Sequence, residues 1–500
     1  MHRKKLWGVV STTVVLTLTL ASCSVGSTDT AGSTGTTDFV NVSLTTEADS
    51  FFDSAVVHSI EIDVDSDEVL AMVETYLDSG DKEWLEATVV IDGTTYEQVG
   101  IKLKGNSSLL GVTADTPIEE LPWRIRLDKY VDGQSIEGVT DVVVRSNNTE
   151  TSLNEAVALE TLSAAGLASE ESVATRFSVN GSEETLLLTV AVPNQSWIER
   201  NYEAGLLPSD DGILWKAESE GDYSWLGDDP ELYTDVFDRE AGDDDYEPLV
   251  DFLDVVNNTT DEEFVAQLPD VLDVESFARY LAVEDLIDNF DDIDGPGNNS
   301  YLYYDPDSGL MSVLAWDHNL AFGTVNEAGG GAAGDAAPEG ARPGGELPEG
   351  ELPEGELPEG ELPEGALPGD DLPEGERPSG APEGAAPGGL PAEGGGDAAG
   401  GGQSQQGNNI LTTRFTETPE FAAMYEDALE ELQEEIFESG QLASIVESRS
   451  ETLADEAADL VDSAVLESET ETILAYSSGE VQETTAGQGG AQEGTRPGGR

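Results

Sequence analysis

The side chains best suited to chemistry lie between Asn289 and Gly323, in the stretch NFDDIDGPGNNSYLYYDPDSGLMSVLAWDHNLAFG. Aspartates and asparagines crowd a Gly/Pro loop, the aromatic strand SYLYYD follows, and a further carboxylate, Asp317, stands in AWDHNLAFG. Carboxylate and amide oxygens are the ligands that Mg²⁺ prefers, and phosphoryl transfer depends mainly on positioning and charge neutralisation. Such groups on loops at the ends of a strand pair predict a magnesium–nucleotide site.

The same loop has a second interpretation, a calcium site, because DDIDGPGNN is rich in oxygen donors. It lacks the D-x-[DN]-x-[DN]-G-x₅-E spacing of an EF-hand loop. Trp316 and Phe322 flank Asp317 and predict a partly buried setting for its carboxylate. The residues leave Ca²⁺ as the alternative to a nucleotide with Mg²⁺ or Mn²⁺.

A cluster of cations supplies candidate anion contacts. Lys102, Lys104, Arg124, Arg126 and Lys129 fall within 28 residues of a chain that has only 21 basic residues. The turn that follows Lys104, KGNSS, could bring backbone N–H groups and hydroxyls close to phosphates. The competing interpretation is that these cations neutralise neighbouring carboxylates.

The composition excludes several classes of function. With 104 acidic residues the formal net charge is −83, which argues against nucleic-acid binding because that needs a cationic surface. The charge favours adaptation to high salt, with an acidic surface protein as the alternative. A zinc motif and a G-x-S-x-G elbow are both absent from a chain with three His and one Cys.

The N-terminus predicts secretion and lipid anchoring. MHRKK is a positive n-region, an apolar stretch follows, and LASC ends it at Cys23, the only cysteine, where a bacterial lipobox carries its diacylglycerol. Residues 1–23 are therefore predicted to be a lipoprotein signal peptide, and 24–38 a flexible spacer. We expect the protein on the outer face of the cell membrane, held by its lipid.

Low-complexity segments divide the rest of the chain. Residues 327–408 contain four consecutive ELPEG pentads and are predicted to be a disordered linker, as is the tail, 478–500. Residues 39–326 then form the main domain. Residues 409–477 show a helical period and are predicted to pack back onto it, with a separate helical hairpin as the alternative.

The main domain mixes strand and helix patterns. Alternation and turn residues predict hairpins at Asp92-Gly93 and Asn180-Gly181, and Trp123, Ile125 and Leu127 on one face of a strand. Helices are predicted from Ser66, a candidate N-cap, over SLNEAVALETLSAAG, and over VESFARYLAVEDLIDNF, which leads into the acidic loop. The pattern indicates an α+β fold with an antiparallel sheet.

Three stretches resemble the CotH (spore coat protein H) kinase family. GIKLKGNSS is similar to the family's vGvRlKGnSS element, PWRIRLDKY with DVVVRSNNTETSLNEAVALETL resembles a second stretch, and Asn289–Gly323 resembles its N-x-D, N-x-YLY and WD-x-D/N-x-AFG block. The resemblance implies an atypical kinase-like, two-lobed fold with a helical C-terminal part. It also implies ATP, with Mg²⁺ or Mn²⁺, and transfer of the γ-phosphoryl group to Ser or Thr of a protein on the cell surface.

The resemblance also implies roles for the acidic loop. Asp291 in the family's N-x-D, or Asp294 at the D-x-x-x-x-N spacing of a kinase catalytic loop, would accept the proton of the substrate hydroxyl. Asn299 and Asp317 would hold metal, and Asn319 could add an oxygen.

On the nucleotide side, Arg124 or Arg126 would take the part of the kinase strand lysine, oriented by Glu155 or Glu160. The predicted nucleotide-binding set is Lys104, Asn106, Ser107, Ser108, Arg124, Arg126, Glu155 and Lys216. The chain departs from ordinary kinases, since it has no His-Arg-Asp triplet or G-x-G-x-x-G loop, and WDHN stands in place of DFG. The alternative function is a non-catalytic surface or coat-assembly protein whose acidic loop binds Ca²⁺ or a partner.

Overall fold

The computed structural model describes residues 50–105, 107–109, 111–218, 221–293, 295, 299–324 and 409–479. All of them belong to one unit of the chain, Val42–Arg500. The predicted signal peptide with Cys23, the spacer, the ELPEG linker and most of the tail lie outside the described residues, as do Asn106 and Asp294.

The fold is α+β, as the sequence pattern predicts. The strands are β1 His58–Asp63, β2 Leu85–Ile91, β3 Thr94–Leu103, β4 Trp123–Arg126, β5 Asp141–Val144, β6 Ser172–Val179, β7 Thr185–Ala191, β8 Ile213–Ala217, β9 Phe237–Ala241, β10 Ser300–Asp305 and β11 Leu310–Ala315. The helices are α1 Ser66–Ser79, α2 Leu153–Ala164, α3 Gln195–Glu203, α4 Glu247–Asn258, α5 Asp261–Gln267, α6 Val274–Leu286, α7 Ile410–Glu417, α8 Pro419–Leu432, α9 Gln441–Glu456 and α10 Ser463–Leu474.

The first seven strands close into a barrel in the order β1-β2-β3-β4-β5-β7-β6. Every pairing in it is antiparallel except that of β1 with β6, which runs parallel from His58 opposite Thr175. The predicted antiparallel arrangement therefore holds for every pair of neighbouring strands in the barrel except β1 and β6. Asp92-Gly93 and Asn180-Gly181 do form the predicted turns, with positive φ at all four residues.

A second sheet, in the order β11-β10-β8-β9, lies between the barrel and the helices. Alternate residues of β10 belong to different hydrophobic clusters: Tyr301 and Tyr303 to the cluster that contains the apolar residues of β1 to β4, and Leu302 to the cluster of the helices. This follows from the two-residue period of a strand, which sends successive side chains to opposite faces. The strands β8 and β10 are consequently buried on both faces for most of their length, whereas β9 exposes Asp238 and Arg239.

The C-terminal helices share the helical core with α2 and α6. Side chains of α7, α8 and α9, among them Phe415, Leu432 and Val446, lie in the same hydrophobic cluster as Leu159 and Phe277. An ion pair joins α9 to α2, with Arg449 Nε donating to Glu160 Oε2 at 2.8 Å. Glu160 therefore faces the C-terminal helices. No helix that the structure describes is both long and apolar enough to cross a bilayer.

The sequence also predicts the buried face of one strand and the start of α1. Trp123, Ile125 and Leu127 are buried on one face as expected. The N-cap of α1 is Asp65 rather than Ser66, since the Asp65 side chain accepts a hydrogen bond from the Asp67 backbone N–H. Ser66 is instead the first helical residue, so the predicted boundary is one residue late.

Candidate functional site

Asp317 follows β11 at a sharp turn of the backbone. Its φ is +68°, a left-handed conformation that is strained for a residue with a side chain, and a 3₁₀ turn, His318–Leu320, begins directly after it. Such strain is concentrated at functional sites. The preceding Trp316 and the later Phe322 are buried, and 19% of the Asp317 side chain is exposed, which is the partly buried setting that the sequence predicts for Asp317.

Two cations from the barrel bracket the Asp317 carboxylate. Arg145 Nη1 donates to Oδ1 at 2.7 Å, and Lys104 Nζ lies 3.6 Å from Oδ2. Lys104 directly follows β3 and Arg145 directly follows β5. Because both strands run antiparallel to β4 between them, their C-terminal ends meet at one rim of the barrel. The topology thus brings the two cations together.

The indole of Trp316 lies beside both cations, 5.2 Å from Arg145 Cζ and 5.8 Å from Lys104 Nζ, measured to the ring centroid. A ring at this distance attracts a cation through its quadrupole. The aromatic residue before Asp317 therefore helps to hold the positive groups that face the carboxylate.

The charges fix the ionisation of Asp317. Burial acts to raise the pKa of its carboxyl, but Arg145 and then Lys104 outweigh burial and hold the pKa at about 2. Burial and the adjacent Arg145 lower the pKa of Lys104 to about 8, although Asp317 acts in the other direction. At neutral pH the site therefore contains an ionised carboxylate and a lysine that is largely protonated.

Arg145 also contacts Glu155 of α2, with 2.5 Å between Arg145 Nη2 and Glu155 Oε1. Both side chains are almost completely buried. The contact is therefore a buried ion pair. Glu155, Arg145, Asp317 and Lys104 thus form one continuous chain of alternating charge. Among the predicted residues, Lys104, Glu155 and Asp317 are brought together.

Sequence reasoning missed Arg145, which joins the other three. The available signal was an arginine at the end of the apolar run DVVVR, in a chain with very few cations. A charge placed directly after a buried strand lies at the edge of its sheet. Loop positions of this kind often carry functional side chains.

Asn299 lies at the same end of the β10–β11 hairpin as Asp317. Ser300 pairs with Ala315, so the residue before Ser300 and the residues after Ala315 are neighbours. The Asn299 side-chain amide donates to the Asp291 carbonyl oxygen at 2.8 Å, and both side chains are half-buried. Gly295 fits closely against Asp291, because a Cβ on Gly295 would lie 2.5 Å from Asp291 Cα.

A buried glutamate on α6 joins the two loops. Glu284 Oε2 accepts from Asn289 Nδ2 at 2.8 Å, and Glu284 Oε1 lies 3.0 Å from Nε2 of the fully buried His318. Burial opposes protonation of His318, but Glu284 more than compensates and raises its pKa. The Phe322 backbone N–H also donates to the Ile287 carbonyl at 2.6 Å. The loop after α6 and the loop after β11 are therefore one connected unit.

Other predicted nucleotide contacts pair with carboxylates in this structure. Arg124 Nε and Nη2 donate to Asp141 at 2.9–3.1 Å, and Arg126 Nε donates to Asp128 Oδ1 at 2.8 Å. These contacts agree with the alternative interpretation of the sequence, in which the two arginines neutralise neighbouring carboxylates.

The remaining predicted residues lie near the same rim. Lys216, opposite Tyr301 in the second sheet, donates to Glu218 Oε1 at 2.8 Å. Ser108 Oγ donates to the Lys104 carbonyl at 3.0 Å, within the turn that contains Ser107. The Asn319 carbonyl accepts from Asn154 Nδ2 at 2.8 Å, which ties the start of α2 to the turn after Asp317.

The donor chemistry fits a hard divalent cation. Asp317 is ionised, and Asn299 presents an amide at the same end of the hairpin; oxygen donors of this kind suit Mg²⁺ and Mn²⁺. Within the described ranges, no group of three or more His, Cys, Asp or Glu side chains could hold a metal ion. Mg²⁺ is commonly bound in proteins through one or two carboxylates together with substrate phosphates.

Comparison with protein families matches the CotH kinase protein family model over residues 101–464. The chain is a member of the CotH kinase family. The CotH match begins in β3 and ends at the start of α10, so it includes Lys104, Arg145, Glu155, Asp317 and the C-terminal helices α7, α8 and α9. The resemblance read from the sequence motifs is thereby confirmed. A search of curated proteins finds no relative of this CotH family member.

Proposed function

We propose that this protein is an extracytoplasmic, lipid-anchored atypical protein kinase, which transfers the γ-phosphoryl group of ATP to Ser or Thr of a surface or secreted protein. The observation that carries the proposal is the ionised Asp317 between Lys104 and Arg145, with Arg145 paired to Glu155. A carboxylate for metal and cations for phosphate are the parts that phosphoryl transfer needs. Membership of the CotH kinase family supports the same reading.

Each side chain has a role in this proposal. Asp317 and Asn299 would hold Mg²⁺ or Mn²⁺, which supplies neutralisation of the phosphate charge when bound. Lys104, 3.6 Å from Asp317 and largely protonated, is placed to turn from the carboxylate to a phosphate oxygen. Arg145 and Glu155 hold Asp317 in position. Asp291, whose carbonyl accepts from Asn299, is one candidate for the residue that accepts the hydroxyl proton. The other candidate, Asp294, lies outside the described residues.

We further propose that the kinase domain comprises residues 39–326 and 409–477 and has two lobes. The barrel would be the lobe that brings Lys104 and Arg145, and the helical part would be the lobe that brings Asp291 and Asn299. The second sheet, shared by both hydrophobic clusters, would connect them. Anchoring through Cys23 is supported by the lipobox LASC, and Cys23→Ser should release the protein from membranes. Continued membrane retention of that variant would refute the anchor.

The test uses a pair of variants in one hairpin. Asp317→Ala removes the carboxylate at one end of β10–β11, and Asp307→Ala removes an exposed carboxylate at the other end. Residues 39–500 are incubated with labelled ATP, Mn²⁺, and either casein or the protein alone. We expect Asp317→Ala to lower the labelling rate about a hundredfold or more, because it removes charge stabilisation of the transition state, and Asp307→Ala to match wild type.

Absence of labelling in the wild type, or equal labelling in the two variants, would contradict the proposal. A calorimetric titration separates the alternative. Tight Ca²⁺ binding that ATP does not affect would favour a non-catalytic surface protein.

A further inference from the structure

In the structure, the two arginines of the cation cluster recognised in the sequence pair with aspartates, and its three lysines divide into two parts. Lys104 joins Asp317, whereas Lys102 and Lys129 lie on the ring of Trp84. Lys102 Nζ is 4.7 Å and Lys129 Nζ is 4.9 Å from the centroid of that ring. Trp84 and Lys102 are half-buried and Lys129 is exposed, so the three side chains form an accessible surface outside the barrel. We refer to Trp84, Lys102 and Lys129 as the lysine–tryptophan surface.

A glycine makes room for this arrangement. Gly100 lies on β3 on the same face as Lys102, two residues away. A Cβ on Gly100 would lie 2.5 Å from Cβ and Cγ of Lys129 and 3.1 Å from Cε3 of Trp84. Any larger residue would push the lysine stem and the indole off the strand. The lysine–tryptophan surface therefore depends on a specific gap in β3.

The two lysines differ from their neighbours in having no carboxylate partner. Arg124 and Arg126 on the adjacent strand each pair with an aspartate. For Lys102 and Lys129, by contrast, no carboxylate oxygen of the described residues comes within the 4.0 Å that defines an ion pair. In a chain with 104 acidic and 21 basic residues, two neighbouring cations without such a partner are unusual. Burial and the nearby Arg124 lower the pKa of Lys102, whereas Asp141 and Glu240 act to raise it, so carboxylates lie near Lys102 although outside ion-pair distance.

This surface adjoins the candidate site. Lys102 and Lys104 alternate with the buried Leu103 on β3 and so share its outer face, about 7 Å apart along the strand. If the hydroxyl of an acceptor segment lay near Asp317, the residues next to that hydroxyl in the segment would therefore lie over Lys102. The net charge of −83 opposes the approach of acidic chains in general. An acidic segment would therefore need local cations of this kind to bind.

We propose that Trp84, Lys102 and Lys129 form a docking site for an acidic segment of the phosphoacceptor protein, whose carboxylates bind the two ammonium groups beside its Ser or Thr. The assignment of the docked segment as phosphoacceptor rests on the proposed kinase function. Docking itself does not, because it requires no ATP.

Binding is tested by fluorescence anisotropy, without ATP, on a labelled peptide with glutamates on both sides of a serine. The same peptide with glutamines is the control ligand. Lys129→Gln is compared with Arg239→Gln, because each removes one positive charge from an accessible side chain and Arg239 pairs with Asp244 elsewhere. We expect Lys129→Gln to weaken binding of the acidic peptide about threefold, and Lys102→Gln with Lys129→Gln about tenfold, whereas Arg239→Gln has no effect.

Equal binding of the glutamate and glutamine peptides, or equal affinity in Lys129→Gln and Arg239→Gln, would overturn the docking site. In the kinase assay, Lys129→Gln should raise KM for the acidic peptide and leave KM for ATP unchanged. A rise in KM for ATP instead would assign these cations to the nucleotide and also overturn it. Peptide binding without any phosphorylation would leave the docking site standing and reject the kinase function, so the two failures can be told apart.

Discussion

Glu170, between α2 and β6, is buried. Burial raises the pKa of its carboxyl to about 8, although His318 and Arg145 nearby act to lower it. A buried carboxyl of this kind is protonated at neutral pH. It is close enough to interact electrostatically with His318, Arg145 and Glu155 of the candidate site.

We predict that Glu170→Gln stabilises the protein above about pH 5. The folded-state pKa lies above the unfolded value, so between the two the unfolded chain loses a proton that the folded chain keeps. The contribution of Glu170 to the free energy of unfolding is fully present below the pKa of the unfolded chain. It is lost as the pH rises towards 8, by about 1.4 kcal/mol per pH unit. Glutamine does not titrate, so denaturant unfolding at several pH values should show its advantage growing from pH 5 to 8.

Glu183→Gln, at an exposed position in the turn before β7, is the matched control because it also removes one carboxylate. A constant difference between Glu170→Gln and wild type across this pH range would contradict the prediction. A larger advantage at low pH would contradict it as well.

At the scale of elements, the helix α6 connects the two loops of the site through Glu284. We predict that Glu284→Ala raises the Mn²⁺ concentration needed for half-maximal phosphotransfer about tenfold, because residues that orient metal-binding groups have effects of this size. Glu284→Gln should fall between wild type and alanine, since its amide oxygen can still accept from Asn289 while the charge opposite His318 is lost.

Glu275→Ala, an exposed substitution near the start of the same helix, controls for changes in α6 itself. Thermal unfolding of each variant separates loss of fold from loss of positioning. The prediction fails if Glu284→Ala folds and has the Mn²⁺ dependence of Glu275→Ala.

Local elements could be predicted from the sequence because their signals are local. Asp-Gly and Asn-Gly turns, two-residue alternation and helical periods are each set by residues close together in the chain. The site was predicted in part: the motifs identified Lys104, Glu155 and Asp317, and the family motif identified Asn299.

What could not be predicted depends on pairing over long distances. Arg145 meets Asp317 across 172 positions of sequence, and only the order of strands in the barrel brings them together. The parallel joining of β1 to β6, and the second sheet between two cores, have no signature in any short window. The pairing of Arg124 with a carboxylate could not be predicted either, because its partner Asp141 is on the neighbouring strand.

At the scale of the whole molecule, the net charge of −83 sets the response to salt. Surface carboxylates repel one another, and added salt screens them as the Debye length falls from about 10 Å at 0.1 M to about 3 Å at 1 M. We predict that Tm rises by about 5 °C over this range of KCl, measured by differential scanning calorimetry.

The gain should shrink as pH approaches the sequence pI of about 4.1, where the net charge disappears. A salt effect of the same size at pH 7 and near the pI would point to general ion effects on burial. Adaptation to high salt would then lose its support.

The parallel pairing of β1 with β6 has a consequence for how the chain folds. β1 is the first of the described strands to be synthesised, but its neighbour on one side, β6, begins only at Ser172. Until then β2 to β5 can pair locally while β1 keeps an unpaired edge, which is a template for association with other chains. Since closure joins residues far apart in sequence, barrel formation should be a slow step. The nascent chain is therefore most exposed to aggregation before β6 has been synthesised.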